Sequence, residues 1–261
     1  MIPQSYITAW RKQAPWQENY QVEQDLIIQR ALIALFSDEF IKERLAFRGG
    51  TALHKLFLFP AARYSEDIDL VQVKAEPFGA IIDRVREQLS FLGKPRIKQK
   101  EHNNTILYSI LSEDDVPIKL KIEVNTREHF SVYGLQDIPV KLDSEWDNGD
   151  AIVPTYGLDE LLATKLRALY QRKKGRDLFD LWYALNNADV NVEKVIEAFM
   201  HYMSAEGNTV TQKEFLENME KKVEDADFIG DMNGLLRSGI SYDINEAYEL
   251  VKTSLLEKIL K

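Results

Sequence analysis

The sequence predicts an α+β fold, with a mixed sheet and flanking helices in the N-terminal part and a helical C-terminal half. Two strictly alternating segments, "SEDIDLVQV" and "IKLKIEVN", read as strands among amphipathic stretches. After the Asp/Gly-rich stretch "LDSEWDNGDAIVPTYG" the apolar period changes from two to 3.6 and stays there to Lys261. That change places a boundary between an α/β domain, residues 1–152, and a helical domain, residues 153–261.

Each element has a local cause. "QVEQDLIIQRALIALFSDEFIKERLAF" carries Leu26, Ile27, Leu32, Ile33, Leu35 and Phe36 on a broad apolar stripe, so residues 21–44 form one or two helices. "TALHKLFLF" is a short helix that follows Gly49 and Gly50 and stops before Pro60, because the residue preceding proline is biased out of the helical region. Residues 65–73 form a strand, and "AIIDRVREQLSFLG" a helix closed by Gly93. "TILYSILS" and "IKLKIEVN" are two further strands separated by the polar turn "EDDVP". Trp10 and Trp16 are expected to staple the N-terminal segment to the body.

Composition excludes several classes of function. The chain has 261 residues, 45% hydrophobic, and no cysteine, which rules out disulfides and thiolate-bound zinc and fits an intracellular, cytoplasmic setting. His54, His102, His129 and His201 lack the close spacing of a histidine-rich metal site, and His54 is expected to face solvent or a bound nucleotide. "MIPQSYITAWRKQAPW" has no signal-peptide core and no window is apolar enough to span a bilayer, so no membrane partner is expected. A net charge of −9 argues against wholesale coating of nucleic acid. "TKLRALYQRKKGRD" nevertheless places six basic side chains before its only acid, and Lys165, Leu169, Arg172 and Arg176 at spacings of 4, 3 and 4 suggest one exposed helical stripe.

The stretch "FRGGTALHKLFLFPAARYSEDIDLV" concentrates the candidate chemistry. On the strand, Ser65, Asp67 and Asp69 share one face, and Ile68 and Leu70 the other. Alternate strand positions lie about 6.6 Å apart, within reach of one or two hard cations such as magnesium or manganese. Acid-x-acid occurs six times in the chain, so only its flanks single this one out: an alternating strand preceded by a glycine pair and a helix. Gly49 and Gly50 permit close backbone approach to a phosphate, or form a plain tight turn. Glu123 is the only acid on its face of "IKLKIEVN". If the two strands are neighbours, three carboxylates converge; the alternatives are Glu123 paired with Lys119 or Lys121, and Asp67 and Asp69 on a solvated edge strand.

This order of glycine pair, helix, Asp-x-Asp strand and later acidic strand resembles the nucleotidyltransferase fold of the DNA polymerase β superfamily. "LAFRGGTALHKL", "ARYSEDIDLV" and "LDELLATKLRALYQRKKGRDLFDLWYAL" resemble the AbiEii/AbiGii toxin family of bacterial abortive-infection and toxin–antitoxin systems, over about residues 5–185. The gap from Gly50 to Asp67, 16 residues, is longer than is usual in the superfamily, and the third acid is Glu where Asp is as common. The resemblance implies a metal-dependent enzyme that moves a nucleotide from an NTP to an acceptor hydroxyl, with the 3′ end of tRNA or another RNA as acceptor and a cognate antitoxin as partner. It further implies phosphate contacts from Gly49, Gly50, Thr51 and Ser65, a metal on Asp67, Asp69 and Glu123, and a later motif of Lys165, Arg172, Arg176, Asp177 and Asp180. Asp177 and Asp180 could instead cap the helix after Gly175. A protein-nucleotidylating transferase and a degenerate nucleotide- or RNA-binding module are the alternative functions.

Overall fold

The structure is a computed structural model and describes residues 2–259. It divides into two compact units, Met1–Tyr156 and Gly157–Lys261. The first contains α1 (Gln4–Trp10), α2 (Asn19–Phe36), α3 (Glu39–Lys42), β1 (Leu45–Arg48) and α4 (Gly49–Ala52), which runs into a π-helical turn, Leu53–Phe57. Then follow β2 (Asp67–Gln72), α5 (Gly79–Gln88), β3 (Arg96–Lys100), β4 (Asn103–Leu111), β5 (Pro117–Asn125), β6 (Leu135–Asp143) and β7 (Asn148–Tyr156). The strands form one mixed sheet in the order β3-β4-β5-β2-β1-β7-β6. This is the expected α+β class.

β2 is the fourth strand of seven, antiparallel to β1 and parallel to β5, so the edge-strand alternative for Asp67 and Asp69 does not apply. Its alternation has a simple cause: Ile68 and Leu70 are buried while Asp67 and Asp69 stay half-exposed. Helix α2 covers strands β5 to β7, and Leu26, Leu32 and Leu35 are fully buried, each contributing about 1.5–3 kcal/mol relative to exposure. From the same helix the Gln24 amide donates to the Glu66 carbonyl at 3.1 Å and the Lys119 carbonyl at 3.1 Å, and its oxygen accepts from Tyr64. One buried side chain thus ties the entry of β2 to β5 and helps fix their register.

Four strands escape the sequence reading. β1 spans four residues, and Leu45, Ala46 and Phe47 are all buried, so no alternation marks it. β3, "RIKQK", is exposed at the sheet edge and has no apolar face to betray it. The stretch expected to link two domains is instead the turn and second strand of a β6–β7 hairpin, paired from Asp143↔Asn148 to Leu135↔Tyr156. Pro154, which cannot donate to a ladder, disguises β7.

The second unit is helical: α6 (Leu158–Gln171), α7 (Gly175–Asn187), α8 (Val192–Ala205), α9 (Gln212–Val223), α10 (Ala226–Gly230) and α11 (Ile244–Ser254). Leu169, Phe179, Phe199, Tyr202 and Phe215 are fully buried in its core. Helix α9 begins with a reciprocal Thr211–Glu214 capping box. Later in α9, Lys222 donates to the carbonyls of Leu169 and Tyr170, closing the last turn of α6. Burial pushes the Lys222 ammonium down to about 8, against the opposing pull of Asp177. Among the described residues, no helix is long and apolar enough to cross a membrane.

Gly175 starts α7 where an added Cβ would meet the Phe228 backbone carbonyl at 2.2 Å. Gly175→Ala is therefore expected to cost about 1–3 kcal/mol of stability in urea unfolding, since backbone cannot step aside as a flexible side chain can. Unchanged stability would show that α10 moves freely away from α7.

Candidate active site

In the first unit the site is built on the β1–β2–β5 pairing. Arg48 stands opposite Asp69 at the end of β1, and the chain then turns sharply at Gly49, with φ of 82°. A Cβ on Gly49 would lie 2.1 Å from Asp69 Oδ2, so glycine is required both for the backbone angle and for the close approach. Thr51 and Ser65 share a 2.7 Å hydrogen bond, and Thr51 also donates to the Asp67 carbonyl. Thr51 is buried, so its hydroxyl ties α4 to β2, whereas the sequence reading has it facing phosphate. Ser65 is half-exposed and Gly50 buried.

The parallel register of β2 and β5 sets Asp67 opposite Lys121 and Asp69 opposite Glu123. The three acids therefore stand on neighbouring strands, with Lys121 among them: its Nζ lies 2.9 Å from Asp67 Oδ2 and 3.6 Å from Glu123 Oε2. Burial pushes the Asp67 carboxyl up to about 6, more than the Lys121 hydrogen bond pulls it down. For Lys121, burial is the largest single influence and acts to lower the ammonium, but the Asp67 hydrogen bond and the charges of Asp67, Glu123 and Asp69 together outweigh it and the net direction is up. Beside them, Arg48 pairs with Glu128 at 2.7 Å.

Among the described residues, no three His, Asp or Glu side chains form a ready-made metal cluster. The donor set still fits magnesium or manganese in a substrate-completed site, because such ions bind through one or two carboxylates plus phosphate oxygens. Asp67 and Asp69 supply two hard oxygen donors on one face, and the Lys121 ammonium already marks a cation-favouring position beside Asp67.

In the second unit the later motif folds differently from the expected stripe. Helix α6 ends at Gln171 and Arg172 is extended, so Lys165 and Arg176 stand on separate helices. Lys165 is not exposed; its side chain is 7% accessible and its Nζ lies 3.1 Å from Asp177 Oδ1 and 2.8 Å from Asp180 Oδ2. Arg172 binds the same Asp177 through Nε at 2.7 Å and Nη2 at 2.8 Å. Neither acid is an N-cap: the cap residue is Lys174, and both carboxylates are fully buried. Burial acts to raise the Asp177 carboxyl, but Lys165 and Arg172 hold it below its ordinary value. The remaining bases are also partnered, Arg167 with Glu206, Lys173 with Asp225, and Lys174 and Arg176 with Asp231. The basic stretch is thus internally neutralised by acids from distant positions.

Lys121, Gln24 and the Arg48–Glu128 pair stand outside the predicted site. Only Lys121 left a signal, since its place in "IKLKIEVN" puts it on the Glu123 face. His54, expected near solvent or nucleotide, is buried at 2% exposure. Trp10 does staple the N-terminus, donating from Nε1 to Asp25 at 3.0 Å, and Trp16 packs edge-on against Tyr64.

A mixed sheet that brings an Asp-x-Asp strand between a glycine turn and a second acidic strand has the fold of a nucleotidyltransferase. MenT4, a nucleotidyltransferase toxin from Mycobacterium tuberculosis H37Rv, shares that fold with a TM-score of 0.60 at 14% identity, over 97% of this chain and 90% of that one. A protein from H. pylori assigned as a nucleotidyltransferase aligns with a TM-score of 0.55 at 17% identity, over 91% and 94% of the two chains. The AbiEii family, described as nucleotidyl transferase AbiEii toxin of a type IV TA system, matches residues 30–250. The chain belongs to that family, and it is a nucleotidyltransferase of the toxin type. Among curated proteins, none matches the chain by sequence.

Removing Lys165 would leave Asp177 and Asp180 buried around one fewer cation. Lys165→Met is expected to cost about 3–5 kcal/mol in urea unfolding at neutral pH, in contrast to an exposed charge. Because the folded Asp177 carboxyl lies below its ordinary 3.8, its contribution is present above that value and is lost as pH falls through the folded one. Asp177→Asn should therefore flatten the acid limb of the stability profile below about pH 4. A stability loss under about 0.5 kcal/mol for Lys165→Met would return it to the exposed class.

Proposed function

We propose that the protein transfers a nucleotide from a nucleoside triphosphate to a hydroxyl of RNA, with the 3′ end of tRNA as the leading acceptor. A bond forms between the acceptor oxygen and the α-phosphorus, the α–β bridge breaks, and pyrophosphate leaves. The observation that carries this reading is the register that sets Glu123 opposite Asp69, one strand from a glycine turn too tight for any side chain. Asp67 and Asp69, joined by Glu123, would hold magnesium or manganese. When bound, the ion would offset triphosphate charge and lower the pKa of the acceptor hydroxyl. The Glu123 carboxylate is suited to accept the proton that this hydroxyl sheds. Gly49 and Gly50 offer side-chain-free backbone to the phosphates, with the half-exposed Ser65 beside them.

In the helical unit, Lys165, Arg172, Arg176 and Asp177 are proposed to serve the reaction as well. Lys165 would act through Asp177, which grips the Arg172 guanidinium with both oxygens and fixes its direction. Side chains of Arg172, Lys173 and Lys174 remain 53%, 47% and 46% exposed despite their acid partners, which supports contacts with triphosphate or with an RNA terminus. Arg176 is assigned to the same phosphate-facing group. The cellular setting we infer is a toxin–antitoxin or phage-defence pair, with a cognate antitoxin as partner.

Purified protein incubated with each labelled NTP, total RNA and a divalent cation is expected to label RNA. Asp69→Asn should abolish labelling without shifting the melting temperature by more than a few degrees. RNase-resistant label on protein would make a protein side chain the acceptor, and folded wild-type protein that consumes no NTP would overturn the reading.

A further inference from the structure

We propose that Lys121 is a displaceable counter-ion: in the cation-free protein its ammonium holds the position beside Asp67 that a divalent cation must take, and the cation competes it away. The inference rests on the metal-dependent reading above.

The face carries Asp67, Asp69 and Glu123, with Asp69 and Glu123 directly opposite each other on paired strands. Like charges so placed repel. Lys121 relieves that repulsion, bridging carboxylates from both strands at 2.9 and 3.6 Å. Among the described residues the neighbouring cations are less well placed: Arg48 is committed to Glu128 at 2.7 Å and only its field reaches Asp69, and Lys119, further along the same face, is exposed. An ammonium on Asp67 Oδ2 and a divalent ion on the same carboxylate repel each other at this range, so arrival of the ion favours departure of the ammonium. Lys121 is able to leave. Its side chain is 35% exposed, and its four-carbon stem can carry the charge into solvent.

The consequence has two parts of opposite sign. Taking the charge away should weaken the cation-free protein while tightening its grip on the cation. A merely structural lysine would move only the first, and a lysine that binds phosphate would move neither in the absence of nucleotide.

The test titrates full-length protein with Mn2+ in the absence of nucleotide, reading bound ion by calorimetry or water-proton relaxation and melting temperature in parallel. Lys121→Met is expected to lower the Mn2+ Kd about five- to tenfold, the scale of a half-buried ion pair, and to lower the melting temperature in chelator. Lys121→Arg, which keeps the charge, should stay near wild type. Lys121→Gln serves in place of the methionine variant if that fails to fold. Wild-type binding that Asp69→Asn removes, with Lys121→Met binding Mn2+ no more tightly than wild type, overturns this proposal alone. No Asp69-dependent binding in any variant overturns it together with the metal-dependent reading.

Discussion

The contact between the Gly49 backbone and the Asp69 carboxylate constrains everything around it. With no room for a Cβ there and a left-handed turn at the same residue, β1 must end at Arg48 and α4 must begin at once. That junction fixes β1 against β2 with Arg48 opposite Asp69. The parallel pairing of β2 with β5, supported by Gln24 on the carbonyls of Glu66 and Lys119, then leaves Glu123 only one position, beside the acid strand. A tight turn, a strand register and one buried amide are enough to assemble the carboxylate face.

The two units handle charge in different ways. In the helical unit two buried carboxylates, Asp177 and Asp180, meet two cations, Lys165 and Arg172. That dry environment penalises any uncompensated charge. In the sheet unit three half-exposed carboxylates meet one ammonium. That excess of negative charge is tolerable in contact with water, and it is the kind of surface that a divalent cation completes.

Legibility in the sequence followed exposure asymmetry. β2 and β5 were readable because one face of each is buried and the other wet, and the same alternation placed Asp67, Asp69, Glu123 and Lys121 correctly. β1, buried on both faces, and β3, exposed throughout, lack that contrast. The acids that neutralise the basic stretch were invisible for another reason. Asp225 and Asp231 lie more than 45 residues from the Lys and Arg they partner, so nothing local announces the pairing. Lys165 illustrates the limit: its helical spacing suggested an outward stripe, whereas the break after Gln171 folds α7 back so that Asp177 and Asp180 enclose it.

On the proposed reading, cation and triphosphate meet on the Asp67/Asp69 face beside the glycine turn. Amide NMR of the isotope-labelled full chain, with a non-hydrolysable NTP analogue and substoichiometric Mn2+, tests it most directly. Paramagnetic broadening centred on residues 48–51, 67–69 and 121–123, and abolished by Asp69→Asn, is the predicted result. Broadening centred elsewhere, or unchanged by that substitution, would contradict the account.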